Sequence, residues 1–284
     1  MPARQPRRSR LDVELTRRGI VTSREQARRL IDAGLVRVSG APAAKVARLV
    51  GPGEPIELEG ARRRFVGRGG EKLDAGLDRF GVEVQGRRAL DVGSSTGGFT
   101  DCLLQRGASS VVAVDVGRGQ LHQRLREDDR VRVMERTDVR RLRPEDVGGR
   151  FSLVVADVSF ISLRLISELL VRVLAAPGAD LVVLVKPQFE AGPVEASRGR
   201  GVIRDPAVWE RSLRDVGSSF AQRGAVIMGA MPSPIRGADG NVELLLHLRA
   251  PGGGAIGWVG MGSLDEGWAQ AVVAEVAVAG TGTA

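Results

Sequence analysis

The sequence predicts an α/β protein: a parallel sheet covered by helices on both faces, preceded by a small α+β module. Three observations lead there. From Arg87 onward, continuous Val/Leu-rich runs alternate with helical stretches, the pattern of strands buried on both faces. Before that point the apolar periodicity is short and changes from helical to alternating within about 30 residues. The charge divides in the same way. Residues 1–64 carry 15 basic and seven acidic side chains, whereas residues 65–284 carry 27 of each, so the whole net charge of +8 lies in the head.

Length and composition agree with one medium and one small domain, since 284 residues with 43% hydrophobic side chains can bury a full core. The lone cysteine, Cys102, excludes an intramolecular disulfide and fits a reducing compartment. The opening "MPARQPRRSRLDVELTRRG" lacks the apolar segment of a secretory signal. No apolar run reaches the roughly 20 residues of a membrane span. The longest near the C-terminus, "AQAVVAEVAVAG", is too short and carries Glu275. The expectation is a soluble cytoplasmic protein.

Residues 1–9 read as a disordered basic arm, and residues 10–62 as the small module. Leu11, Leu15 and Ile20 fall near helical spacing, with Gly19 as a stop. Ser23 caps a second helix, with Gln26 three residues on. That helix turns Ala27, Leu30 and Ile31 to one side and Arg24, Arg28 and Arg29 to the other. Gly34 ends it, "LVRVSG" alternates as a strand, and "GPGEPIEL" gives a turn and a closing strand. Arginines on one helix face suit the phosphates of folded RNA, and the lack of base-reading aromatics points to recognition by shape. Arg24, Arg28, Arg29 and Lys45 are the RNA-binding candidates. With Ser23, Ala27, Leu30, Ile31, Gly34, Val36, Val38 and Gly40, this stretch resembles the S4-like RNA-binding module.

Residues 63–70 read as a linker and 71–250 as the sheet domain. "RALDV" is its first strand, "GSSTGG" a Gly-rich turn, and a helix opens near Gly98. "SSVVAVD", "VRVMERTD", "FSLVVADVSF", "ADLVVLVKP" and "NVELLLHLR" follow as strands. Ligands of such sheets bind at the carboxyl ends of the strands. That rule collects Asp91, Asp115, Asp138, Asp157 and Lys186 along one edge. Residues 251–284 form a Gly/Ala-rich tail.

Three chemistries compete for the turn. "GSSTG" matches the elbow G-x-S-x-G of serine hydrolases, with Ser95 as nucleophile. A dinucleotide loop would need glycine where Ser95 stands. An S-adenosylmethionine loop fits: Asp91, Gly93, Ser94, Ser95, Thr96, Gly97 and Gly98 would cradle the ligand, and Asp115 would bind both ribose hydroxyls. A hydrolase also needs a histidine on a loop. The chain has only His122 and His247, and His247 alternates within a strand.

Lysine is the rarest signal. Of 42 basic residues only Lys45, Lys72 and Lys186 are lysines. An Asp157–Lys186 ion pair could serve structure alone, but Arg usually fills that role as well or better. Arg cannot lose its proton at working pH, whereas a desolvated Lys can. Lys186 beside Asp157 therefore suggests a proton acceptor or a compact cation.

Together "RGGEKL", "DVGSSTGGFTD", "VVADVSFISL", "LVKPQFE" and "GNVE" make the chain resemble the TlyA family of rRNA (cytidine-2′-O)-methyltransferases, some first called haemolysins. The resemblance runs from about Arg10 to about Arg249. It implies a Rossmann-like class I methyltransferase sheet of FtsJ type and S-adenosyl-L-methionine as methyl donor. It further implies the catalytic set Lys72, Asp157, Lys186 and Glu243, and the expectation for the chain is a monomer without a metal. The substrate it implies is cytidine ribose in 16S and/or 23S rRNA, within subunits or ribosomes. The longer N-terminal start implies both RNAs, and the modification implies sensitivity to cyclic peptide antibiotics of the capreomycin type. Two rivals remain in view: a membrane-active haemolysin, for which no spanning segment exists, and an RNA-binding protein on an inactive methyltransferase fold, against which the intact catalytic set stands.

Overall fold

In a computed structural model of the chain, the described residues are 8–18, 20, 21, 23–51, 53–58, 64–192, 195, 201–237, 240–252 and 267–280. Residues 1–7 of the expected arm, Gly19, residues 59–63 and residues 253–266 and 281–284 of the expected tail lie outside them. The chain divides into two compact units between Arg63 and Arg64.

The first unit contains β1 (Ser9–Arg10), α1 (Leu11–Arg17), α2 (Arg24–Asp32), β2 (Val36–Val38), β3 (Ala41–Pro42), β4 (Leu49–Val50) and β5 (Ile56–Leu58). Leu11 and Leu15, one helical turn apart, are fully buried on α1. The Ser23 hydroxyl accepts the Gln26 N–H at the start of α2, as its position predicted. Ala27 and Ile31 face the core, and Val36 and Val38 alternate inward on β2, the centre of a β3-β2-β5 sheet. One expectation is corrected here. Ser9 is not part of a disordered arm: Ser9 and Arg10 pair with Val50 and Leu49, and Val50 is buried beneath them.

The second unit runs α3 (Gly69–Phe80), β6 (Arg88–Val92), α4 (Gly98–Gln105), β7 (Ser110–Val114), α5 (Gln123–Arg126), β8 (Val131–Met134), β9 (Phe151–Ala156), β10 (Ala175–Val185), α6 (Pro187–Glu190), α7 (Pro206–Ala221), β11 (Val226–Pro232), β12 (Leu244–Arg249) and α8 (Trp268–Gly280). Its seven strands lie in the order β11-β12-β10-β9-β6-β7-β8. The continuous apolar runs are buried on both faces, because alternate residues serve opposite layers. Val154 and Ala156 of β9 join the core under α7, whereas Leu153 and Val155 join the one under α3 and α4.

Two features depart from the expected all-parallel sheet. β12 runs antiparallel to β10 and to the additional strand β11. β11 carries small residues such as Gly229 and Ala230 and is half-buried along its length, so its sequence has no strong period. The expected linker also reaches into this unit. Phe65 is buried, and the Val66 N–H donates to Asp101 Oδ2 at 2.8 Å. Phe65 and Val66 of the expected 63–70 linker are thus held by contacts within this unit.

Candidate active site

The residues that come directly after parallel strands gather at one edge of the sheet, and this chain places its chemistry there. Asp115 comes after β7, Asp157 after β9 and Lys186 after β10, each by one residue. Glu243 precedes β12. Because β12 is antiparallel, its beginning lies at the edge where its neighbour ends, and Leu244 stands opposite Val185. The reversed strand therefore delivers Glu243 beside the ends of the parallel ones. Lys72 comes from the first turn of α3, whose Gly69 lies against Asp157: a Cβ there would stand 3.7 Å from Asp157 Oδ2.

The four residues form two ion pairs. Lys186 Nζ lies 2.5 Å from Asp157 Oδ1 and donates to Ser159 Oγ at 3.0 Å. Lys72 Nζ donates to Glu243 Oε2, and both side chains are less than a tenth exposed. Burial of two ammonium groups at a sheet edge is costly unless each has its own counter-charge, and each does.

Beside them opens a cleft of about 520 Å³, within the usual range for a small-molecule site. Gly93, Ser95, Asp115, Asp138 and Asp157 line it among the expected residues. Ser94, Thr96, Gly97, Gly98 and Asp91 lie outside its lining. Gly93 has φ +83°, and a Cβ there would stand 2.5 Å from the Asp157 carbonyl oxygen. Gly97, at φ +98°, leaves space that the Leu121 and Leu125 side chains occupy. Gly98 backs onto the Gly67 carbonyl. These glycines thus serve close packing of protein against protein.

Asp115 holds the turn together. Its carboxylate accepts the Ser95 N–H at 2.8 Å and the Gly117 N–H at 2.7 Å, and each oxygen keeps a lone pair for a further donor. Asp138 caps the short helical turn after β8 by accepting the Arg140 N–H at 3.0 Å, and the Arg140 guanidinium holds its carboxyl below the usual range. Asp91 is fully buried. Thr100 Oγ1 donates to its Oδ2 at 2.6 Å, while Oδ1 has no partner among the described residues. Burial, with the Asp157 and Asp115 charges adding to it, pushes its carboxyl up to about 7.

The sequence reading missed Ser159, Phe160 and Thr137 in the lining. Phe160 is 92% exposed at φ +65°, a conformation that bulky residues rarely adopt. Ser159 and Phe160 follow Asp157 in "ADVSF", and that closeness in the chain is the signal for them.

Neither histidine is hydrogen-bonded to Ser95 among the described residues. His122 Nδ1 accepts the Arg124 N–H, and buried His247 pairs with Asp180 of β10, six residues before Lys186. The hydrolase reading has no base.

In the first unit, Arg24 and Arg28 lie 2.8 and 3.9 Å from Asp12, which is fully buried, and Arg29 pairs with Glu25. Lys45 is exposed. The expected RNA-binding arginines are thus held by carboxylates yet remain half-exposed or more.

Comparison with known proteins agrees with both units. Residues 65–250 match the FtsJ-like methyltransferase model, and residues 9–56 match the S4 domain. The 16S/23S rRNA (cytidine-2′-O)-methyltransferase TlyA of Mycobacterium tuberculosis is 49% identical over 244 residues, covering 86% of this chain and 90% of that one. YqxC of Bacillus subtilis, named as an rRNA methyltransferase, is 46% identical, covering 88% and 89%. A solved structure from Streptococcus thermophilus that carries a hemolysin name superposes with a TM-score of 0.75 at 38% identity, covering 98% of each chain. No helix among the described residues is long and apolar enough to cross a membrane.

Proposed function

We propose, for a chain that belongs to the FtsJ-like methyltransferase family and carries an S4 domain, that it transfers a methyl group from S-adenosylmethionine to the ribose 2′-hydroxyl of cytidine in ribosomal RNA. The observation that carries this reading is the pair of buried Lys–carboxylate contacts at the sheet edge beside the cleft. The names of the relatives support the substrate: rRNA for both, and cytidine 2′-O in 16S and 23S rRNA for the mycobacterial protein.

The residues present fit the donor. Buried Asp91 Oδ1 is an acceptor without a partner among the described residues, Asp115 retains lone pairs toward the cleft, and Gly93 and Ser95 line its floor. When bound, S-adenosylmethionine supplies a methyl group already electrophilic on sulfonium. The protein then has two tasks, to orient the 2′-oxygen in line with that methyl and to take its proton. Lys186 accepts the proton, and Asp157 orients Lys186. Lys72, held by Glu243, adds a fixed positive charge that steadies the developing alkoxide. Arg24, Arg28, Arg29 and Lys45 of the first unit bind rRNA phosphates. Phe160 offers an exposed ring face at the rim, of the kind on which an unstacked base rests. A ribosomal substrate and the lone cysteine both support action in the cytoplasm.

The test is tritiated methyl transfer from S-adenosylmethionine to purified, unmodified small and large ribosomal subunits, wild type against Lys186→Ala. Label on the RNA that disappears in the variant is the expected result. Donor binding without transfer to either subunit would overturn the substrate.

A further inference from the structure

A neutral lysine amine has two N–H donors and one lone pair, and only the lone pair can take a proton. Which way the lone pair points depends on where the two N–H bonds are committed. Lys186 Nζ has two oxygen neighbours on one loop: Asp157 Oδ1 at 2.5 Å and Ser159 Oγ at 3.0 Å. Only the Ser159 contact has hydrogen-bond geometry, and Asp157 Oδ1 is an ion-pair neighbour that accepts no hydrogen bond among the described residues. With one N–H held by Ser159 and the other turned toward the Asp157 charge, the lone pair is left the tetrahedral position that faces away from both.

We propose that Ser159 is a positioning residue for methyl transfer: it fixes the lone pair of Lys186 toward the 2′-hydroxyl of the bound nucleotide. This inference rests on Lys186 being the proton acceptor. The lone pair takes the 2′-hydroxyl proton, and the O–H electrons become the new O–CH₃ bond. The C–S pair returns to sulfur, and the resulting ammonium releases its proton to water.

The surroundings of Ser159 are built to hold it. It lines the cleft, two residues after Asp157. The next residue, Phe160, is kept at φ +65°, and such strain persists only where neighbouring contacts impose it. Those contacts come from α6, the four-residue helix that begins directly after Lys186. The Phe189 ring packs against the Phe160 ring with centroids 5.1 Å apart. Buried Glu190 accepts the Ser162 hydroxyl at 2.5 Å and the Leu163 N–H at 2.8 Å. Three rungs thus tie the loop to the helix, and Lys186–Ser159 is the one nearest the chemistry.

The experiment measures kcat and KM for methyl transfer to unmodified ribosomal subunits, with the full chain, for Ser159→Ala, Ser159→Thr, Lys186→Ala and the Ser159→Ala/Lys186→Ala double variant. The donor Kd of each serves as a folding check, and the exposed position accommodates both substitutions. Ser159→Ala is expected to lower kcat about 10-fold, as loss of orientation does, with KM and donor Kd within about two-fold. Ser159→Thr, which keeps the hydroxyl, restores most of the rate. Added to Lys186→Ala, the alanine at 159 causes no further loss. Wild-type kcat in Ser159→Ala beside an inactive Lys186→Ala would overturn the role of Ser159 alone, as would a loss that threonine does not rescue. An active Lys186→Ala would instead overturn the assignment of the base, and this inference with it.

Discussion

The small unit and the sheet edge of the large one both hold cations with carboxylates, and they do so in opposite proportions. In the small unit one carboxylate serves several guanidinium groups. Asp12, with no solvent exposure, lies 3.0 Å from Arg10, 2.8 Å from Arg24 and 3.9 Å from Arg28, and those arginines are 45, 55 and 56% exposed. At the sheet edge each ammonium has its own carboxylate, and Lys72 and Lys186 are a tenth exposed or less. The first arrangement leaves uncompensated positive charge facing water, which suits a polyanion. The second is neutral overall and shielded, which suits moving one proton. Residue choice accords with this, because a permanently charged Arg suits the first task and a titratable Lys the second.

The sharpest way to break this contrast is to put the wrong cation at the sheet edge. If Lys186 is the proton acceptor proposed above, Lys186→Arg keeps the charge but removes that group, and methyl transfer should fall by about 10²–10⁴-fold while donor affinity holds. Near-normal turnover would mean that charge alone is required. Next comes the one-to-one pairing. Glu243→Gln leaves the Lys72 ammonium buried without a counter-charge and should cost about 3–5 kcal/mol in denaturant unfolding. Lys72→Met combined with Glu243→Leu should recover most of that stability and none of the activity. If the double substitution is as unstable as the single one, the pair is not what burial penalises.

In the small unit single changes should be gentler. Arg24→Ala removes one phosphate contact, so rRNA affinity at 0.1 M salt should drop about 5–10-fold and the slope of log K against log salt should fall by about 1. An unchanged slope would place Arg24 off the RNA. The smallest effect is one of pH. The Arg17 and Arg18 guanidinium groups hold the Glu14 carboxyl down at about 2, from an ordinary value of 4.5. A depressed carboxyl contributes stability that is complete above its unfolded value and is lost as pH falls toward its folded one. Melting of the small unit should therefore weaken between about pH 5 and pH 2, and Glu14→Gln should flatten that decline. The same decline in the variant would assign it to Asp12 instead, whose carboxyl is also lowered.

Much of this was legible in the sequence because it rests on local chemistry. Strand ends, the Ser23 cap and the rarity of lysine are properties of neighbouring residues. The illegible part depends on partners distant in the chain. The direction of β12 decides that Glu243 joins the edge, and nothing in "GNVELLLHLR" encodes direction. Burial of Asp12 under three arginines draws on two separate elements, so α2 alone suggested free cations. The glycines of the turn suggest room for a ligand, whereas Leu121 and Leu125 claim the space at Gly97. Phe160 escapes a sequence reading because an exposed aromatic at positive φ violates the local rules on which such a reading depends.

The contact at Gly93 sets a tolerance for the edge of the sheet. With the position of a missing Cβ only 2.5 Å from the Asp157 carbonyl oxygen, main chain meets main chain between the end of β6 and the start of the loop after β9. The spacing between the Gly-rich turn and the main chain of Asp157 is therefore set by backbone against backbone, with no side chain as a shim. Side chains elsewhere in the lining can change while the Gly-rich turn and the loop after β9 keep their spacing, because a Cβ at residue 93 has no room.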